Sequence, residues 1–266
     1  MMSNHIGKWA LGIWTTLIFG FMLVPVFIIV ILAFNESALG LFPFTGVTTH
    51  WFVVVLTDKD LMRSLMNSFR ISLVASVFAT ILGSASAYAL ARYRFYGRAV
   101  TEMTLTLPLL IPHLVMGVSL LLLFKALGVD KSMTTLTLGH IVMILPFVVL
   151  TVRHRFDSIP LALEEAAWTL GANRVQGIRQ VVLPLAIPSI LTGLLFSFMY
   201  SFDEVTATIF WRPVNVETVQ TQIMAMLQYE VDQRVNALAA LLILFSIGIP
   251  VLGLVLARLV IRNHKV

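Results

Sequence analysis

The sequence predicts an all-α, polytopic membrane protein with six transmembrane helices. Of 266 residues, 59% are hydrophobic and only 12% charged, whereas soluble domains are roughly a quarter charged. A soluble chain this short has no interior large enough to hide that apolar surface; a bilayer accepts it. The apolar residues also gather into six runs, each near the ~20 helical residues that cross ~30 Å of hydrocarbon. The runs are continuous rather than alternating with period two, which excludes a β-barrel, the other structure able to span. Finally, Lys and Arg are distributed unequally between the connections, which orients the helices.

Taken in order, the first helix is expected over Trp9–Phe34. It lacks a strong basic segment before it and a small-residue cleavage site after it, so it reads as a retained anchor and not a signal peptide. The connection Asn35–Met66 is amphipathic, with Trp51, Phe52 and a Val-rich run, and suits the membrane interface or a neighbouring surface. The second helix, Asn67–Ala91, carries Gly83, Ala87 and Ala91 at small-xxx-small spacing, beside Ser84, Ala85 and Ser86, a face for close helix packing. The third, Thr101–Phe124, contains Pro108 and Pro112, which kink it and free backbone carbonyls. The fourth covers Thr134–Val152, and the long segment Arg153–Pro188 follows. The fifth covers Ser189–Phe210, the connection Trp211–Val235 carries Glu217, Glu230 and Asp232, and the sixth covers Asn236–Ile261.

With the N-terminus inside, the inner segments hold Lys8, Arg92, Arg94, Arg98, Arg153, Arg155, Arg174, Arg179, Arg258, Arg262 and Lys265. The outer ones hold Lys59, Arg63, Lys125, Lys131, Arg212 and Arg234. Both termini are therefore expected in the cytoplasm. These basic residues, as anchors beside anionic membrane lipid, account for the net charge of +5 and leave no nucleic-acid surface. Trp9, Trp14, Trp51 and Trp211 fall near the expected interfaces and read as an aromatic belt. The chain has no cysteine, so a disulfide framework, a Cys zinc site and a thiol nucleophile are excluded. No repeat or low-complexity linker divides residues 1–266, and a single domain is expected.

The inner segment is the most informative part of the chain. Residues 164–188 read EEAAWTLGANRVQGIRQVVLPLAIP. Leu161–Leu170 favours helix, with carboxylates in its first turn where the helix dipole welcomes them. Gly171 can take the left-handed conformation that ends a helix. A second short helix over Asn173–Val182 is expected to stop before Pro184, and the chain then passes through Pro188 into the fifth span. The result is a helix–Gly–helix elbow, about residues 161–184. Ala166, Ala167 and Leu170 lie on one face of it, and an apolar face of that kind marks a docking surface.

Glu165-Ala166-Ala167, Gly171 three residues on, then Val181-x-Leu183-Pro184 after nine more, resembles the EAA loop of ABC importer permeases, with Val181 in place of Ile. Phe34-Asn35-x-Ser37, Trp51-Phe52, Asn67-Ser68, Tyr93-Arg94-Phe95, Gly117-x-Ser119-Leu120-Leu121, Ser201-Phe202-Asp203-Glu204 and Asn236-Ala237-Leu238-Ala239 are similar, in that order, to spermidine/putrescine-type permeases, so the likeness covers nearly the whole chain. The resemblance implies the type I ABC importer permease (MetI-like) fold in a bacterial inner membrane. It implies that Glu164, Glu165, Ala166, Ala167, Gly171, Ala172, Leu183 and Pro184 couple the chain to an ATP-binding subunit dimer, which holds the ATP and Mg. A second, homologous permease, a heterodimer being favoured, and a periplasmic solute-binding protein complete the implied assembly. No cofactor, metal or catalytic group is expected in this chain.

For the solute pathway the candidates are Asp203, Glu204, His113 and Tyr200. Asp203 and Glu204 are expected in the outer half of the fifth helix, where an intramembrane carboxylate normally faces a cavity or a partner. Adjacent helical residues point ~100° apart, so one of the two is expected to face the pathway. They attract a cationic solute or a charged partner; alternatively Asp203 bonds a facing helix, Ser201 or Thr206, and Glu204 reaches the outer surface. In the polyamine family this position is an acidic pair. His113, after Pro112, either lines the pathway or bonds within the bundle. The family often carries Asp there, and an imidazole weakens attraction for a polyamine. Other small polar solutes, such as an opine or an amino-acid derivative, remain open, as does a stand-alone channel or ion-coupled carrier. The chain has no phosphate-binding GxxxxGK[ST] loop and no catalytic motif, so it is not expected to be an enzyme and energy must come from another polypeptide.

Overall fold

The computed structural model describes residues 3–38, 40, 42–229 and 232–263. The described residues form helices α1 Ser3–Ala33, α2 His50–Thr57, α3 Lys59–Arg92, α4 Arg98–Thr106, α5 His113–Ala126, α6 Met133–Ser158, α7 Leu161–Thr169, α8 Arg174–Gly177, α9 Leu183–Phe202, α10 Thr208–Trp211, α11 Val219–Tyr229 and α12 Arg234–Asn263. By length and composition five helices can cross a membrane, and six when the bent pair α4–α5 is counted as one span. The all-α, six-span expectation therefore stands. Glu230 and Lys265 lie outside the described residues.

The chain divides into two compact units. The first comprises residues 1–62 with 223–245. Asn35 organises its turn: the Oδ1 atom accepts from the Thr45 N–H at 3.0 Å and the Thr45 hydroxyl at 3.2 Å. The buried Gln233 side chain donates to the carbonyls of Leu32 and Asn35, and Asn236 donates to the Gly40 carbonyl at 2.8 Å. Arg234 pairs with Asp232 and with Asp58. Along most of α1 the apolar side chains point outward, as suits a helix covered by lipid or by another chain: Trp9, Trp14 and Phe21 are exposed, and Leu32 and Ala33 at its end are buried. The helix of the second span begins at Lys59, earlier than the Asn67 expected from hydropathy, because Asp58 Oδ1 accepts from the Asp60 and Leu61 N–H groups and starts it there.

The second unit, residues 63–222 with 246–266, holds the packed core. Ala75, Ala79 and Ala87 of α3 are buried against Ile144, Val148 and Val152 of α6. A Cβ added at Gly83 would stand 2.8 Å from Val148 Cγ1, so the expected small-residue face does bring the two helices close. α9 packs along α6. A second cluster joins Ile71, Met116, Leu120, Leu136, Met143, Ala207 and Trp211.

Three sequence expectations need correction in this unit. The third span is broken, not merely kinked. α4 and a 3-10 turn at Leu107–Leu110 give way to extended Ile111 and Pro112, and α5 leaves at 114°. Pro112 pushes the preceding Ile111 out of the helical region and itself lacks an N–H for the ladder. The fifth span is longer inward and shorter outward than expected. It runs unbroken from Arg174 to Phe202, because a π turn at Ile178–Val182 absorbs Pro184, whose ring would otherwise strike the carbonyl one turn back. It ends at Phe202, not Phe210. Trp211 is no belt residue either: it is completely buried, with its indole N–H on the Leu136 carbonyl at 3.4 Å.

Candidate functional site

Two groups of residues carry the candidate chemistry, both in the second unit. The first gathers at the break in the third span. The α5 helix starts at His113 because Pro112 fixes the turn before it. One turn later a Cβ on Gly117 would lie 2.9 Å from the Ala207 Cα, so only glycine lets α5 reach the 203–207 segment. That segment is itself pinned to α6. Buried His140 spans it, with Nδ1 2.8 Å from Ser201 Oγ and Nε2 3.1 Å from Thr208 Oγ1. The Trp211 indole lies against Gly139, where a Cβ would come within 2.6 Å of its ring.

On this frame His113, Tyr200 and Glu204 come together. His113 Nδ1 is 2.8 Å from Glu204 Oε2, and His113 Nε2 is hydrogen-bonded to the Tyr200 hydroxyl. An ionised carboxylate only accepts, so Nδ1 is the donor toward it, and the tautomer sets which of Nε2 and the Tyr200 hydroxyl donates in the other bond. Phe147 of α6 packs on the Tyr200 ring at 4.4 Å between centroids. Glu204 is buried and neither sits in a helix nor reaches the outer surface. Its Oε1 accepts from the Ala207 N–H at 2.7 Å, which caps the turn into α10 and explains why α9 stops. Asp203 does not join the cluster. It is exposed at the end of α9 and accepts from Gln220 Nε2 at 3.2 Å, not from Ser201 or Thr206. Chemically, the cluster is a buried carboxylate and an imidazole beside the Tyr200 ring, on which Phe147 packs. That combination suits an alkylammonium group, through charge and cation–π attraction. Among the described residues no group of His, Asp or Glu could hold a metal.

The second group is the elbow. α7 ends in a Schellman turn: the Gly171 N–H bonds the Trp168 carbonyl and the Ala172 N–H bonds the Ala167 carbonyl, each at 3.0 Å, with Gly171 at φ +92°. Asn173 then caps α8 in a reciprocal box with Gln176, at 2.9 and 2.8 Å. Trp168 lies over buried Gly177, whose missing side chain lets the two arms close. Glu165, Ala166, Leu170, Leu183 and Pro184 are exposed, and Ala167 and Ala172 half-buried. Leu170 is 89% exposed and Val175 71%, so the apolar face is uncovered.

Glu164 is the exception, and its place on a docking surface is corrected. It is 1% exposed and faces inward. Arg92 Nε meets its Oε1 at 2.5 Å and the Tyr88 hydroxyl donates to its Oε2 at 2.9 Å. The sequence marks Arg92 only as a membrane anchor and Tyr88 only as a residue able to line a path, and neither as a partner of Glu164. The available signal was their i, i+4 spacing on one helix face. Sequence reasoning also missed His140 and Phe147, which have no partner nearby in sequence.

Comparison with known proteins places this geometry. The family described as "Binding-protein-dependent transport system inner membrane component" matches residues 79–264. The spermidine/putrescine transport system permease protein PotC of Escherichia coli (strain K12) is 33% identical over 253 residues, covering 95% of this chain and 96% of that one. The putrescine transport system permease protein PotI of the same strain is 32% identical over 254 residues, covering 93% and 89%. A bacterial alginate ABC transporter, solved in complex with an alginate pentasaccharide-bound periplasmic protein, has a chain that superposes with a TM-score of 0.76 at 19% identity, covering 99% of this chain and 97% of that one.

Proposed function

Since the chain belongs to the family of binding-protein-dependent transport system inner membrane components, we propose that it forms half of the membrane pathway of an ATP-driven importer for a small cationic solute of the polyamine class. One observation carries the reading: the elbow presents an uncovered apolar face while its root is locked to the spans. A surface built to dock needs a partner, and the chain has no phosphate-binding loop of its own. The partner is an ATP-binding subunit dimer, which supplies ATP and Mg. The alginate transporter seen with its periplasmic protein supports a solute-binding protein on the opposite side. Because one chain supplies six spans and half a cavity, a second, homologous permease completes it. Both termini and the elbow face the cytoplasm.

PotC and PotI, named for spermidine and putrescine, support the solute class. Within this chain Glu204, with Tyr200 and Phe147, is the site that fits an ammonium group, and His113 occupies that carboxylate between solutes. ATP-driven closure of the motor moves the elbow and switches the cavity between its two openings, and release follows from a lower solute affinity in one of them.

The test is uptake of labelled putrescine and spermidine into vesicles carrying the chain, its second permease, the ATPase and the binding protein. ATP-dependent uptake of either is expected. Uptake by this chain alone, without ATP, overturns the importer reading in favour of a channel or carrier. ATP-dependent uptake of an opine or amino-acid derivative instead overturns only the solute class.

A further inference from the structure

We propose that Arg92, Tyr88 and Glu164 form the joint through which displacement of the elbow reaches the second and fourth spans; the inference rests on the importer reading above. Glu164 stands in the first turn of α7, at the root of the elbow. Arg92 is the last residue of α3. Its guanidinium meets three pieces of chain at once. Nε takes Glu164 Oε1 at 2.5 Å, Nη1 the Phe156 carbonyl at 3.0 Å, and Nη2 the Ile159 carbonyl at 2.9 Å. Phe156 stands in the last turn of the fourth span and Ile159 in the short link to the elbow; the Ile159 N–H bonds the Phe156 carbonyl at 3.2 Å, and Arg92 adds a second donor to that carbonyl and takes the Ile159 carbonyl, at a helix end that favours a cation. Tyr88, one turn before Arg92, holds the second carboxylate oxygen, and its ring packs edge-on against Phe156.

The side chains of Arg92 and Glu164 are 9% and 2% exposed. A dry pair is not an economical way to add stability, since apolar groups of the same size usually serve as well or better. What it adds is direction. Three elements share one rigid, forked cation, and none can shift without moving the others or leaving a buried charge unpaired. The exposed side of the elbow, with Glu165, Leu170 and Val175, remains available to the motor. Glu164 and Glu165 thus divide the work between them: one roots the elbow and the other faces the motor.

The test uses the complete transporter in vesicles with its binding protein. The readouts are the ratio of ATP hydrolysis with loaded binding protein to hydrolysis without it, and solute taken up per ATP, both per co-purified complex. Glu164→Gln and Arg92→Lys are expected to lower that ratio about fivefold or more, the scale of ordinary allosteric coupling. Tyr88→Phe keeps the ring packing and removes one hydroxyl, so it is expected to fold normally and lower the ratio by a smaller factor. A merely structural pair would change the yield of complex and leave the ratio per complex untouched. An unchanged ratio in Tyr88→Phe and in whatever assembles of the other two variants overturns the joint. Failure of the unsubstituted chain to co-purify with an ATPase would instead strike the importer reading itself.

Discussion

A single carboxylate separates the two acidic neighbours at the end of α9. Glu204 is buried, 2.8 Å from His113 Nδ1, while Asp203 is exposed and bonded to Gln220. Glu204→Gln removes the buried negative charge and is expected to cut uptake of a cationic solute by about tenfold or more, since bonds to charged groups are worth ~1.5–3 kcal/mol. Asp203→Asn is expected to weaken uptake by about twofold at most, with assembly intact, because that carboxylate lies outside the cluster and is already bonded to Gln220. Initial uptake rates at matched expression decide between them, and a larger loss in Asp203→Asn would move the solute site out to the exposed turn. The sequence marks the acidic pair, His113 and Tyr200 as one pathway. It does not show which carboxylate joins the cluster, because that choice is made by the Ala207 N–H, which captures Glu204 and ends the helix. His140 illustrates the same limit: its partners lie 61 and 68 residues away, beyond any periodicity.

At the scale of elements, the legible features were the ones written in local chemistry. Apolar runs placed the spans, Gly171 ended α7 in a left-handed turn, and small residues marked the close α3–α6 face. Illegible were the features that depend on how a strained residue is absorbed. Pro184 does not stop the helix because a π turn gives it room, whereas Pro112 breaks the third span outright. Two glycines, one held by its backbone conformation and one by packing, test the elements they sit in. At Gly171, φ +92° costs an L-residue about 1–2 kcal/mol, so Gly171→Ala is expected to loosen the elbow and reduce recovery of the ATPase with the chain; full recovery would show that the turn is not what shapes the docking face. At Gly139 a Cβ would come within 2.6 Å of the Trp211 ring, so Gly139→Ala is expected to cost about 1–3 kcal/mol and lower the melting temperature in detergent. Gly248→Ala, in a helix and with nothing within 4 Å, is the matched control and should lose nothing.

For the whole molecule the claim is one of sidedness. The Lys and Arg residues favour a cytoplasmic elbow; with the fifth span, Arg174–Phe202, long and apolar enough to cross, residues 170 and 214 are expected on opposite sides of the membrane. The chain contains no cysteine, so one introduced thiol reports one position without background. Leu170, 89% exposed on the elbow, and Val214, 94% exposed beyond α10, are suited to it. A membrane-impermeant maleimide applied to intact spheroplasts is expected to label Val214→Cys and spare Leu170→Cys; inside-out vesicles should reverse the pattern. Adding the ATP-binding subunits to those vesicles should protect position 170 alone, because docking buries an apolar surface that water otherwise covers. Labelling of position 170 from outside would invert the protein and end the importer reading. Correct sidedness without protection would instead leave the family fold in place while removing the elbow as its contact with the motor.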